Sequence, residues 1–275
     1  MLGKLLKQEF RATGRIMLPV LGALIVLAFL ASLSGSGLIN GVTDVPVLRF
    51  LMGMIEFLFG IGVVAAGVVT VVIMISRFYR NLLQDEGYLM FTLPVSVHEL
   101  VWAKLIVSLV WFVATALLIF LVMSLTAFNL MNTNLEMIIE GFPSWTEIRQ
   151  FLSEAGVLGR VTTLFFQGLL AVVLGTLSTC LHFYAAMSLG HMFTKNKILL
   201  SVVFFVGFSF VFNLLEMGYG MVGISIKNPG SISEFSEGLR FMSTVTWHAL
   251  GICAVQSAVM YIATVLGLKR GLNLE

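Results

Sequence analysis

The chain has 275 residues, 59% of them apolar and only 11% charged, with a net charge of +2 and a mean hydropathy of +1.01. Soluble domains carry about 25% charged residues, so the composition excludes an ordinary soluble enzyme, a disordered chain and a disulfide scaffold. The small net charge and the scattered bases give no footprint for a nucleic-acid partner.

An all-α integral membrane protein remains. A hydrocarbon core of about 30 Å takes roughly 20 apolar residues per helix, and the chain offers six such stretches. They cover about 16–39, 51–76, 102–128, 158–190, 198–222 and 245–268 of a single transmembrane domain.

Ahead of the first span, Lys4, Lys7, Arg11 and Arg15 are spaced 3, 4 and 4 apart, which gathers them on one helical face. Leu2, Leu5, Leu6 and Phe10 fall largely elsewhere, so residues 1–15 read as a basic amphipathic helix lying on an anionic membrane surface. A topology signal alone is the plainer alternative. The first span is too long for the core of a cleaved signal peptide and is read as retained.

Span two carries Glu56 about six residues in, then the small-residue row Gly62, Ala66 and Thr70, a helix-packing pattern. The loop that follows is the most informative stretch. Asn81, Leu82, Leu83, Gln84, Asp85 and Glu86 suit a short helix, and Gly87 is placed to end it in a left-handed turn. Pro94 then breaks the chain, and Ser96 with Glu99 forms an S-x-x-E capping box that opens the helix of span three.

Beyond span three, Ser144 and Glu147 form a capping box before an apolar stripe that includes Trp145 and Phe151, read as a helix on the outer interface. In span four, Gly168, Ala171, Gly175, Ser178 and His182 make a second small-residue face. His182 reads as a neutral imidazole bonded to a neighbouring helix, with a proton relay as the lesser alternative. Asn213 and Glu216 near the outer end of span five, and His248 near that of span six, resemble Glu56 in lying in the external third. They serve either as interfacial anchors or as a polar outer pathway. Ser231 and Glu234 repeat the capping-box pattern, marking a separate outer helix before span six.

Orientation follows from the bases. With both termini in the cytoplasm, eleven of the 16 Lys and Arg lie inside: Lys4, Lys7, Arg11, Arg15, Arg77, Arg80, Lys104, Lys195, Lys197, Lys269 and Arg270. The loop at 77–104 is then cytoplasmic.

Glu86-Gly87, the run Thr92-Leu93-Pro94-Val95-Ser96, Glu99-Leu100 and Lys104 resemble the corresponding loop of bacterial ABC transporter permeases of the type-2 exporter class. The six-span layout with both ends inside and the basic leader are similar to that family too. Tyr88 departs from it, since many members carry Thr there. The resemblance implies a permease subunit in the bacterial cytoplasmic membrane, paired with a second permease copy as a homo- or heterodimer. It implies that the segment from Asn81 to Gly87 is the coupling helix that docks on separate ABC ATPase subunits. It also implies an outer helical or re-entrant element near 218–244, and export as the direction of transport.

The chain has no G-x-x-x-x-G-K-[ST] phosphate loop and no segment long enough for a nucleotide-binding domain. No cofactor is therefore expected on this chain, and ATP with Mg belongs to the partner ATPase. Catalysis has no support either. His98-Glu99 opens like a zinc-protease motif, but Trp102 occupies the place of the second His. The acidic outer loops point to a cationic or amphipathic cargo such as an antimicrobial peptide or drug. The alternative function is a stand-alone secondary transporter or channel, which would normally show ionisable midplane sites or internal repeats.

Overall fold

The computed structural model describes residues 2–35, 46–84, 87, 92, 94–133, 157–193, 195–220 and 232–270. Among them are six long α-helices and no strand: α1 Leu2–Gly35, α2 Pro46–Leu82, α3 Val97–Thr133, α4 Val157–Gly190, α5 Lys197–Gly220 and α6 Ile232–Arg270. All six are long and apolar enough to cross a membrane, so the chain has the make-up of a multi-pass membrane protein.

The helices outrun the apolar stretches at several ends. α2 has 37 residues and α6 has 39, about 56 and 59 Å at 1.5 Å per residue. Both exceed a hydrocarbon core of about 30 Å and must tilt or project beyond it. α6 is the longest of the described helices, because residues 232–244 continue without a break into span six. The outer helix expected after Ser231 is thus the first part of α6 rather than a separate element. α1 likewise joins the basic leader and the first span in one helix that runs through Pro19. The capping box at Ser144 and Glu147 and its apolar stripe lie outside the described residues.

The chain divides into two units. One comprises Met1–Leu2, Ile75–Leu105 and Pro143–Glu275, and the other Gly3–Met74 and Ile106–Phe142. In the α1–α3 unit, Leu5, Glu9, Thr13 and Met17 are buried at four-residue spacing, while Lys4, Lys7, Arg11 and Arg15 are exposed. Leu6 and Phe10 pack against a cluster of Met17, Ile73, Met74, Val107 and Trp111. The apolar side of the leader therefore covers protein, a use its sequence did not reveal. The Trp111 indole N–H donates to the Thr13 hydroxyl at 2.8 Å, and Thr13 donates to the Glu9 carbonyl at 2.8 Å. These bonds satisfy polar groups that would otherwise be costly in an apolar setting.

In the α4–α6 unit, α4 packs against both α5 and α6. Its C-terminal part, with Ser178, Leu181, His182, Tyr184, Ala185, Ala186 and Ser188 buried, is enclosed on nearly all sides, as expected of a core helix. Phe78 and Tyr184, both almost fully buried, stack with ring centroids 3.9 Å apart. α5 is the opposite case, with only 6% of its most apolar window buried within the chain. Ile198, Val206 and Phe210 are each more than half exposed. Side chains of this kind in water would be unfavourable by about 25 cal/mol per Å², and lipid removes that cost.

Candidate functional site

The connection from α2 to α3 is built differently from its sequence pattern. Asn81 and Leu82 are the last residues of α2, and Leu83 extends it by one bond, its N–H donating to the Tyr79 carbonyl at 3.0 Å. There is thus no separate helix beginning at Asn81. Asn81, Leu82 and Leu83 are 3%, 0% and 6% exposed. The two leucines are spent on the chain's own packing and act as anchors of the loop, not as a docking surface. Gln84 is exposed, and Asp85 and Glu86 lie outside the described residues.

Gly87 is helical and carries no positive φ. The left-handed turn expected there is replaced by a close approach: a Cβ would lie 2.7 Å from the Leu82 carbonyl oxygen. The Gly87 N–H donates to the Gln84 carbonyl at 2.7 Å, which draws the backbone back onto the end of α2. Only glycine allows that contact.

The capping box at the other end is present in full. The Ser96 N–H donates to Glu99 Oε2 at 3.0 Å, and the Glu99 N–H donates to Ser96 Oγ at 3.2 Å, opening α3 at Val97. Within the box, at the second residue of α3, His98 joins α3 to α6. The Lys269 ammonium can only donate, so its N–H is the donor to His98 Nε2 at 3.3 Å. His98 Nδ1–H then donates to the Tyr261 oxygen at 2.7 Å. Trp102 packs on Tyr261 with centroids 5.8 Å apart.

The packing residues divide into two groups. In the α1–α3 unit a Cβ at Gly62 would meet the Leu27 Cδ1 at 2.9 Å, and Ala66 is buried beside Leu24 and Val122. Thr70 donates to the Ala66 carbonyl at 2.7 Å, so its contact with Thr115 at 3.2 Å has Thr115 as the donor. This face seats α2 closely on its neighbours. Gly168 and Gly175 make no such contact, since a Cβ at either would meet nothing within 4 Å. The close approaches of α4 fall instead at Gly190, against Ser201 of α5, and at Ser188, against Gly267 of α6. Neither glycine was singled out from the sequence, although Ala186-x-x-x-Gly190 and Ala263-x-x-x-Gly267 are spaced for a close approach.

His182 is buried and bonded to α5. Its Nε2 lies 3.2 Å from the Phe205 carbonyl and 3.0 Å from Ser209 Oγ. A carbonyl only accepts, so the proton sits on Nε2, and Ser209 gives its own to Phe205 at 2.8 Å. Phe205, Phe208 and Phe212 enclose the ring edge-on.

Of the residues expected toward the outer side, Glu56 is exposed on α2 of the α1–α3 unit, and Asn213 and His248 are exposed on α5 and α6. Asn213 donates to the Ser209 carbonyl at 2.7 Å. The side chain of Glu216 lies outside the described residues. None of these residues lines the cavities beside His191, which the sequence did not single out. There Tyr79 meets His191 edge-on at 5.4 Å. Burial holds the imidazole below its usual range. The hydrogen bond to the Met187 carbonyl opposes that effect, and the charge of Lys197 adds to it.

Compared with known proteins, the chain matches no family model, no curated protein and no solved structure.

Proposed function

We propose that the chain is the membrane-spanning permease subunit of an ATP-driven exporter of the type-2 ABC class, residing in a bacterial cytoplasmic membrane. Two permease copies form the substrate pathway, and separate ATPase subunits bind ATP with Mg. Both termini lie in the cytoplasm, where the exposed row Lys4, Lys7, Arg11 and Arg15 of α1 faces the anionic lipids of the inner surface. Glu56, Asn213, Glu216 and His248 are the candidate outer pathway.

The observation that carries this reading is the build of the segment between α2 and α3. Its entry is fixed by the buried Asn81, Leu82 and Leu83, its middle by Gly87 against the Leu82 carbonyl, and its exit by the Ser96–Glu99 box. A connection held at both ends passes a push on its exposed part directly to two long helices. The acidic pair Asp85 and Glu86 offers a partner's basic residues the complementary charge. The burial of Leu83 moves the test away from that residue, since an aspartate there would disturb folding itself.

The test is purification of the tagged chain from its native membrane, with Glu86→Lys alongside. An ATPase with a phosphate loop is expected to accompany the wild type, and at least tenfold less of it the variant, about 1.4 kcal/mol of binding. A chain that emerges alone, fully inserted, would favour a stand-alone transporter or channel.

A further inference from the structure

Between the C-terminal end of α4 and the start of α5 lies a cavity of about 350 Å³, walled by Phe183, Ala186, Met187, Val202 and Phe205. A second, wider cavity of about 740 Å³ shares Tyr79, His191, Ile198 and Val202 with it and adds Asn196 and Lys197. The volumes fall within the range of small-molecule sites, about 300–1,000 Å³. From Lys197 to Phe205 α5 advances eight residues, about 12 Å, so an apolar slot of that depth adjoins a polar, cationic end.

Two side chains of the polar end, His191 and Tyr79, have bonding capacity to spare. His191 is 5% exposed, and its Nδ1–H donates to the Met187 carbonyl at 2.9 Å. Its Nε2 is therefore an acceptor, and it has no hydrogen-bond partner among the described residues. The Tyr79 hydroxyl likewise has none among them. The Lys197 ammonium supplies positive charge at the level where α5 begins, the boundary of a candidate membrane span.

We propose that the paired cavity binds one anionic phospholipid of the surrounding bilayer, with an acyl chain in the slot and the phosphate beside Lys197 and Tyr79. Headgroup hydroxyls then donate to His191 Nε2. A zwitterionic head would gain less from Lys197 than an anionic one, and a ligand without a head would leave the His191 Nε2 acceptor unused. The site is distinct from the segment at 81–99 and does not depend on the chain being a permease.

Native mass spectrometry of the full chain in detergent, offered phosphatidylglycerol and phosphatidylcholine in equal amounts, tests the assignment. The wild type is expected to retain one phosphatidylglycerol per chain in preference to phosphatidylcholine. Val202→Trp fills the slot and is expected to lose that lipid, whereas Val211→Trp, on an exposed part of α5 outside both cavities, keeps it. Lys197→Gln is expected to lower the preference for phosphatidylglycerol about fivefold. Equal retention of the two lipids by the wild type would overturn the proposal. So would a Val202→Trp chain that holds phosphatidylglycerol like the wild type. Should Val202→Trp fail to fold, an unchanged preference in Lys197→Gln overturns it alone.

Discussion

Gly190→Ala is expected to lower the unfolding temperature of the purified chain by several degrees. A Cβ at this position would lie 2.6 Å from the Ser201 backbone nitrogen and 2.7 Å from its Cα. Backbone atoms cannot rotate away as a side chain can, so α4 and α5 must separate. Overpacking of this kind costs about 1–3 kcal/mol, and each kcal/mol lowers the midpoint by roughly 2–4 °C in a chain of this class. Gly207→Ala is the matched control, because nothing lies within 4 Å of its Cβ position and a helical alanine is intrinsically favoured. Equal midpoints for Gly190→Ala and the wild type would mean that the two helices are less closely seated than described.

Gly87→Ala is expected to have a more local effect of similar size. Its Cβ would press on the Leu82 carbonyl oxygen at 2.7 Å and on the Leu82 carbonyl carbon at 3.0 Å. The contact is relieved only by releasing the end of α2, where the Leu83 N–H is bonded to Tyr79 and the Gly87 N–H to Gln84. Hydrogen exchange over residues 79–87 should therefore rise by about 5- to 150-fold, the equivalent of about 1–3 kcal/mol of local opening. Exchange as slow as in the wild type would show that position 87 tolerates a side chain. In the permease reading the same variant weakens the hold on the ATPase while Gly190→Ala does so only through global stability.

The sequence made the six spans legible because an apolar run of membrane length has few other uses. It did not show where the helices end. Hydropathy marks the part of a helix that lipid can cover, whereas residues 2–15 and 232–244 are helical and more polar. The Ser96–Glu99 box was readable because both partners are local. Gly87 was readable as a constrained glycine, but its cause is a contact with Leu82 that folding creates, not the φ that a turn pattern implies. His182 follows the same logic, since its residue type called for a partner and Ser209 with Phe205 supplied one.

Where a pattern needs a neighbour, the sequence was least informative. Gly168 and Gly175 repeat at a helical spacing, yet nothing in the described chain approaches them. Gly190 and Gly267, each with an alanine four residues before it, are closely packed. Periodicity says which residues share a face and is silent on what that face meets. The residues read as an outer pathway are a similar case, because Glu56, Asn213 and His248 lie on three different helices, and their exposure alone does not join them into a path.

The central claim, that the segment after α2 faces the cytoplasm and holds an ATPase, is tested most directly by a photo-crosslinking residue at Gln84. That side chain is exposed and directly precedes the acidic pair, so its replacement leaves the buried anchors untouched. Irradiation of intact cells is predicted to join the chain at this position to a cytoplasmic protein carrying a phosphate-loop sequence, and the same probe at Val211 to yield none. A crosslink at Gln84 only to lipid, or to a protein on the outer side of the membrane, would contradict the account.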